Sequence, residues 1–170
     1  QADKYLATEQ RLSDAGYRWY EISNWAYDPA NQGIHQSQHN LAYWRDQDWW
    51  GIGPGAHSHI AGVRWWNAKH PAAYASRVIE NISPAIGREI PDAEARLLER
   101  IMLGVRLSEG LEISVLTGQA EDQAQAALAE TQRLADQGLI ESAALDDGRV
   151  VPTLKGRLLD DAITRRLAGF

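Results

Sequence analysis

The chain has 170 residues and a formal net charge of -6, with 44% hydrophobic and 24% charged residues. This composition excludes a mainly disordered chain, and no apolar run approaches the roughly 20 residues of a membrane helix. The acidic balance disfavours a nonspecific grip on a phosphate backbone, and the absence of cysteine excludes disulfides and any thiolate ligand for zinc or an iron–sulfur cluster. Met102 is the sole methionine and the chain opens on Gln1, so it is expected to be a piece of a longer protein. Nothing in the first residues has the basic-then-apolar order of an export signal, and a cytoplasmic location is expected.

Composition shifts along the chain. All seven tryptophans lie within the first 66 residues and all five histidines between His35 and His70, whereas beyond residue 91 the sole aromatic is Phe170. Ser83-Pro84 and Ile90-Pro91-Asp92 punctuate the change, dividing the chain into 1–66, a connecting helix and linker over 67–91, and 92–170.

In chain order, Lys4 to Ala15 reads as a helix with Leu6 and Leu12 inward, stopped by Gly16, and Tyr17 to Ser23 as a strand. Residues 28–38 read as a loop. Gly51 to Gly55 reads as a glycine-rich turn, followed by a hairpin about Ala61-Gly62 that ends at Trp65-Trp66. His70-Pro71 opens a short helix. Asp92 caps a helix with Leu97, Leu98, Ile101, Met102 and Val105 at helical spacing. A short helix over 113–117 and an Ala-rich one over 122–137 follow. Residues 139–141 and 149–151 then read as a hairpin around Asp146-Asp147-Gly148, and Thr153 caps a final helix. The expected class is α+β, ending in a mostly helical, winged-helix-like domain. In that fold the third helix enters a DNA groove, but here Asp122, Glu130 and Asp136 outnumber Arg133, so no nucleic-acid partner is expected.

His35 and His39 are four apart, and His57 and His59 would share a strand face. Two imidazoles without a third ligand rarely fix a metal, and hydrogen-bonded structural histidines are the commoner outcome. Gly51-Ile52-Gly53-Pro54-Gly55-Ala56 does not fit a dinucleotide fingerprint and no long helix follows it. It is either a turn between strands or a place where backbone amides are free to meet a ligand. His39-Asn40-Leu41-Ala42-Tyr43-Trp44 gathers an imidazole, an amide, a phenol and an indole within six residues, a set suited to a buried aromatic cluster or to a macrocycle with a metal at its centre.

Tyr20-Glu21-Ile22-Ser23-Asn24-Trp25-Ala26, then the His39 to Trp44 segment, then Gly51 to Ser58 resemble successive signatures of the HemW and oxygen-independent coproporphyrinogen III oxidase family of radical SAM proteins. Residues from Arg96-Leu97-Leu98 through Thr153-Leu154-Lys155-Gly156-Arg157-Leu158-Leu159 resemble that family's C-terminal domain. The resemblance implies that residues 1–66 end a partial βα barrel. It implies heme binding through His39, Asn40, Tyr43 and Trp44, with His39 the candidate iron ligand and Tyr43 and Trp44 against the porphyrin. Gly51, Gly53, Gly55, Ala56 and His57 would line the cavity for S-adenosylmethionine or porphyrin. A 4Fe-4S cluster and S-adenosylmethionine would belong to the full-length protein, whose CxxxCxxC motif this chain lacks, so no catalytic residue is expected here. The implied activity is heme transfer to acceptor proteins. The alternative is oxidative decarboxylation of coproporphyrinogen III, and a further one is an interaction module able to self-associate.

Overall fold

The computed structural model describes residues 1–169. Helices and short antiparallel strands are mixed, as expected, and no closed barrel occurs among the described residues. The backbone forms two compact units, one of residues 1–45 with 97–170 and the other of residues 46–96. These boundaries follow contacts, whereas the divisions at 66 and 92 follow composition. None of the described helices is long and apolar enough to cross a membrane.

The first unit opens with α1 (Ala2–Asp14), whose inner line is Tyr5, Glu9 and Leu12; Leu6, expected inward, is exposed. The single strand expected over 17–23 is instead a hairpin, β1 (Tyr17–Glu21) paired antiparallel with β2 (Asn24–Tyr27). The register slips between Trp19 and Glu21, which lets the chain reverse at Ile22-Ser23. Behind the hairpin follows α2 (Gln38–Trp44), started by the Ser37 hydroxyl, which accepts from the Asn40 amide. Tyr20, Ala26, Leu41 and Leu107 form one small buried cluster, with Trp44 packed against it.

The second unit holds β3 (His57–Ile60), β4 (Val63–Asn67), α3 (Pro71–Ile79) and β5 (Ala85–Glu89), the strands making one antiparallel sheet in the order β3-β4-β5. The expected turn at Ala61-Gly62 is present, with φ of 50° and 77° at its two central residues, the left-handed pair of a tight hairpin. β5 falls where a linker was expected: Pro84 and Pro91 flank it, and so short a segment between two prolines reads as punctuation although four of its five residues pair with β4, the register slipping at Ile86.

Asp92 Oδ1 accepts from the Ala95 amide at the start of α4 (Ala93–Gly104), as expected. Ile101 and Val105 on this turn of chain are fully buried, while Met102 is exposed. Within the first unit β6 (Leu111–Glu112), α5 (Ile113–Thr117) and α6 (Glu121–Asp136) follow. The expected hairpin needs correction. Residues 142–146 form a helical turn, α7 (Ser142–Asp146), and β7 (Arg149–Val150) pairs with β6; only a single bridge links Ile140 to Pro152. Leu111-Glu112 is too short to announce itself as a strand. Thr153 caps as expected, its hydroxyl accepting from the Gly156 amide, but the final helix is broken into α8 (Leu154–Arg157) and α9 (Asp160–Leu167). Gly156 is required here because a Cβ would run into the Leu139 carbonyl. Ile101, Val105, Leu116, Leu134, Ile140, Val150 and Ile163 close the aliphatic core of this region.

Candidate functional site

The seven residues of α2 divide its signature into two opposed i,i+4 pairs. His39 and Tyr43 lie on the exposed side, their ring centroids 5.1 Å apart and nearly perpendicular. Asn40 and Trp44 lie toward the protein. Asn40 Nδ2 donates to the Tyr20 hydroxyl (3.4 Å), and Trp44 packs on the cluster anchored by the buried Leu41. The Arg106 guanidinium sits 5.5 Å from the Trp44 ring centre, a cation over an aromatic face. Trp44 Nε1 is buried without a hydrogen-bond partner, so the indole is held by packing and by Arg106. Trp44 thus fixes the helix, leaving His39 and Tyr43 as its outward face.

Arg106 is itself tied down on its other side. Its Nε lies 3.1 Å from Asp160 Oδ2 and its Nη2 3.2 Å from Asp161 Oδ1. Burial pushes the Asp160 carboxyl up to about 6; Arg106 opposes the shift and Asp161 adds to it. These residues carried no recognisable signal in the sequence, since Arg106 and Asp160 meet only through the fold.

The loop leading into α2 is organised by Asp28, whose carboxylate accepts from the Gln32 and Gly33 amides (2.7 and 2.8 Å) and is held below its usual range by them. His35 belongs to this loop rather than to α2, with its ring 6.5 Å from that of Tyr27. The i,i+4 spacing of His35 and His39 therefore does not place both on one helix face.

A second set of unpredicted residues locks α1 to the end of the chain. Arg157 Nη1 pairs with Glu9 Oε2 (2.9 Å), its guanidinium stacks 4.4 Å from the Trp19 ring centre, and Trp25 Nε1 donates to the same Glu9 oxygen (2.6 Å). Although burial raises the Glu9 carboxyl, the hydrogen bonds from Arg157 and Trp25 bring it below its ordinary value. All of these groups serve packing of the first unit.

In the second unit the glycine-rich loop is a closed hydrogen-bonded turn. The Gly51 amide donates to Ser58 Oγ, Gly55 to the Ala68 carbonyl and Ala56 to the Gly53 carbonyl. Asn67 Nδ2 returns two bonds, to the Gly51 and Gly53 carbonyls (3.3 and 3.0 Å). The expectation of free amides therefore fails at Gly51, Gly55 and Ala56, whose donors are consumed by the fold. Gly51 is required because a side chain there would strike the His57 carbonyl. His57 is exposed beside Trp66, whereas His59 is buried against Trp49 with Nδ1 3.6 Å from Asp46. No group of three or more histidine and carboxylate residues able to hold a metal ion occurs among the described residues.

A heme asks of a chain an accessible imidazole on a rigid element and flat apolar surface beside it. His39, Tyr43 and the pinned α2 fit that requirement. Residues 92–159 match the HemN C-terminal domain family. The chain has 20% identity to the solved structure of coproporphyrinogen III oxidase (HemN) from Escherichia coli, a radical SAM enzyme, with a TM-score of 0.65 over 96% of this chain and 39% of that one. The chain thus carries a HemN C-terminal domain and is similar along its length to the HemN and HemW family of radical SAM proteins. More particularly, it is 40% identical over 168 residues to the heme chaperone HemW of Mycobacterium tuberculosis, covering 99% of this chain. It is also 34% identical over 113 residues to the heme chaperone HemW of Synechocystis, covering 65% of this chain and 26% of the relative. The chain spans 39% of the length of the mycobacterial relative.

Proposed function

We propose that this chain carries the heme-contacting helix of a HemW-like protein that binds heme and delivers it to acceptor proteins. In this reading residues 1–66 end the radical SAM part and 92–170 form the accessory domain. The observation that carries it is the outward His39 and Tyr43 pair on a helix whose inner side is held by Asn40, Leu41, Trp44 and Arg106. Heme, when bound, would supply an iron centre able to take a ligand from the protein. His39 would offer its imidazole to that iron, and Tyr43 would lay its ring against the macrocycle. Asn40 and Trp44 would keep the helix from turning. Gly51, Gly53, Gly55, Ala56 and His57 are proposed as a rigid wall of the S-adenosylmethionine or porphyrin cavity of the whole protein, acting through shape rather than free amides. With no cysteine in this sequence, none of its residues can ligate the 4Fe-4S cluster through a thiolate.

The test is a heme titration of the chain beside its His39→Ala variant, followed by Soret absorption. Saturable one-to-one binding is expected, weakened about tenfold or more in the variant, with unchanged far-ultraviolet circular dichroism. Equal affinities and identical spectra would remove His39 from the role. In the full-length protein, heme transfer without formation of protoporphyrinogen is the outcome that separates this reading from the oxidase.

A further inference from the structure

We propose that residues 46–96 carry a second ligand site, separate from His39, that takes a planar aromatic compound bearing an anionic group. The site is built on the face of β4 that presents Val63, Trp65 and Asn67, alternate residues of one strand. Arg88 on β5 pairs directly with Trp65 across the sheet and so stands on the same face. Trp50 enters from the segment before the glycine-rich turn. The Trp50 and Trp65 ring centres are 5.2 Å apart with an interplanar angle of 79°, so the two indoles form a corner.

A cavity of about 440 Å³ opens at this corner, walled by the two indoles, Val63 and Pro84, with Arg88, Asn67 and Ser83 as its polar members. That volume falls within the range of small-molecule sites. A flat ring placed there stacks on one indole and meets the edge of the other, the two arrangements aromatic rings favour. Trp50 is 68% exposed, a large apolar surface that such a ring would cover.

The charge of the ligand follows from the cavity's own residues. Arg88 is their one cation, and no acidic side chain lines the cavity. Glu89, its neighbour in sequence, points to the opposite face and pairs with Arg64 at 3.4 Å. A carboxylate or sulfonate on the ring would therefore meet an Arg88 that has no competing carboxylate in the cavity. The corner is also set in advance: Asn67 is 4% exposed and ties the Gly51 and Gly53 carbonyls, which fixes the chain immediately after Trp50. Less ordering is then needed on binding.

The test uses the whole chain labelled with ¹⁵N, observing its seven tryptophan indole N–H resonances, with 2-naphthoate and its neutral counterpart 2-naphthamide as probes. Trp50→Phe and Trp65→Phe assign the two resonances of interest. Saturable shifts confined to Trp50 and Trp65 are expected with 2-naphthoate, and 2-naphthamide should bind more weakly. Arg88→Gln, at an exposed position, should weaken naphthoate about fivefold and leave naphthamide unchanged. His39→Ala should alter neither. Equal binding of both probes, indifference to Arg88→Gln, shifts spread over all seven indoles, or no saturable shift with either probe would each overturn the proposal. None of these outcomes bears on heme at α2, so the two sites stand or fall separately.

Discussion

Ile101, Val105, Leu116, Leu134, Ile140, Val150 and Ile163 give the first unit a dry aliphatic interior, whereas the buried side chains of the second unit are Ser58, His59, Asn67 and Ala68. The second unit leaves Trp50, Ile52, Val78, Ile79, Ile82, Ile86 and Ile90 exposed. One region therefore gets its shape from apolar burial and the other mainly from strand pairing and a polar pin through Asn67. The contrast shows why aromatic and aliphatic side chains of the second unit remain available to ligands: they are not spent on its interior.

Four substitutions probe the contrast, in falling order of expected effect. Leu134→Ala removes side-chain volume from the fully buried aliphatic core, and should cost about 3 kcal/mol in urea unfolding. A loss below about 1 kcal/mol would show that the core can collapse around the gap and is not close-packed. Asn67→Ala leaves the Gly51 and Gly53 carbonyls without their donor, and should cost about 2 kcal/mol. Amide exchange at Gly55 and Ala56 should quicken with it; unchanged exchange would mean that strand pairing alone holds the turn.

Asp160→Asn tests the buried acid. The Asp160 carboxyl titrates near 6 in the folded chain against an ordinary 3.8. Between those values the folded chain keeps a proton that the unfolded chain has released, so its contribution to stability falls as the pH rises through that window. The amide has no such proton, so the variant should match the parent at the acid end and exceed it above about pH 6, by about 1 kcal/mol once the weaker contact to Arg106 is counted. A constant difference across the range would mean that Asp160 does not titrate there. Arg45→Gln breaks two hydrogen bonds to Glu109 (2.9 and 2.7 Å) between side chains that are partly exposed. The expected loss is about 0.5 kcal/mol, and it should shrink with added salt.

What could be read in the sequence was what local chemistry announces. Asp92 and Thr153 declare helix starts through their side-chain oxygens, and Ala61-Gly62 marks a two-residue turn. The His39 to Trp44 signature identified the family and fell on one helix, but adjacency in sequence could not tell which members face outward; the helical period separates His39 and Tyr43 from Asn40 and Trp44. The strand β5 was hidden between prolines, and β6 was hidden by being two residues long. Glu9 and Arg157 are separated by 148 positions, and neither shows any local trace of the other. The Arg106 contacts to Trp44 and Asp160 belong to the same class: charges whose partners exist only after folding.

The first unit is assembled from two stretches of chain with residues 46–96 between them. Glu21 bridges to Leu107, and the Ser108 amide donates to the Tyr20 carbonyl. During synthesis the β1-β2 hairpin and α2 must therefore wait for an entire intervening unit to emerge before Leu107 can complete their cluster. Contacts so distant along the chain slow folding and leave early segments uncovered in the interval. The helix with His39 is thus synthesised well before it is secured, which makes it an early point for loss of structure when the chain is cut short of Leu107.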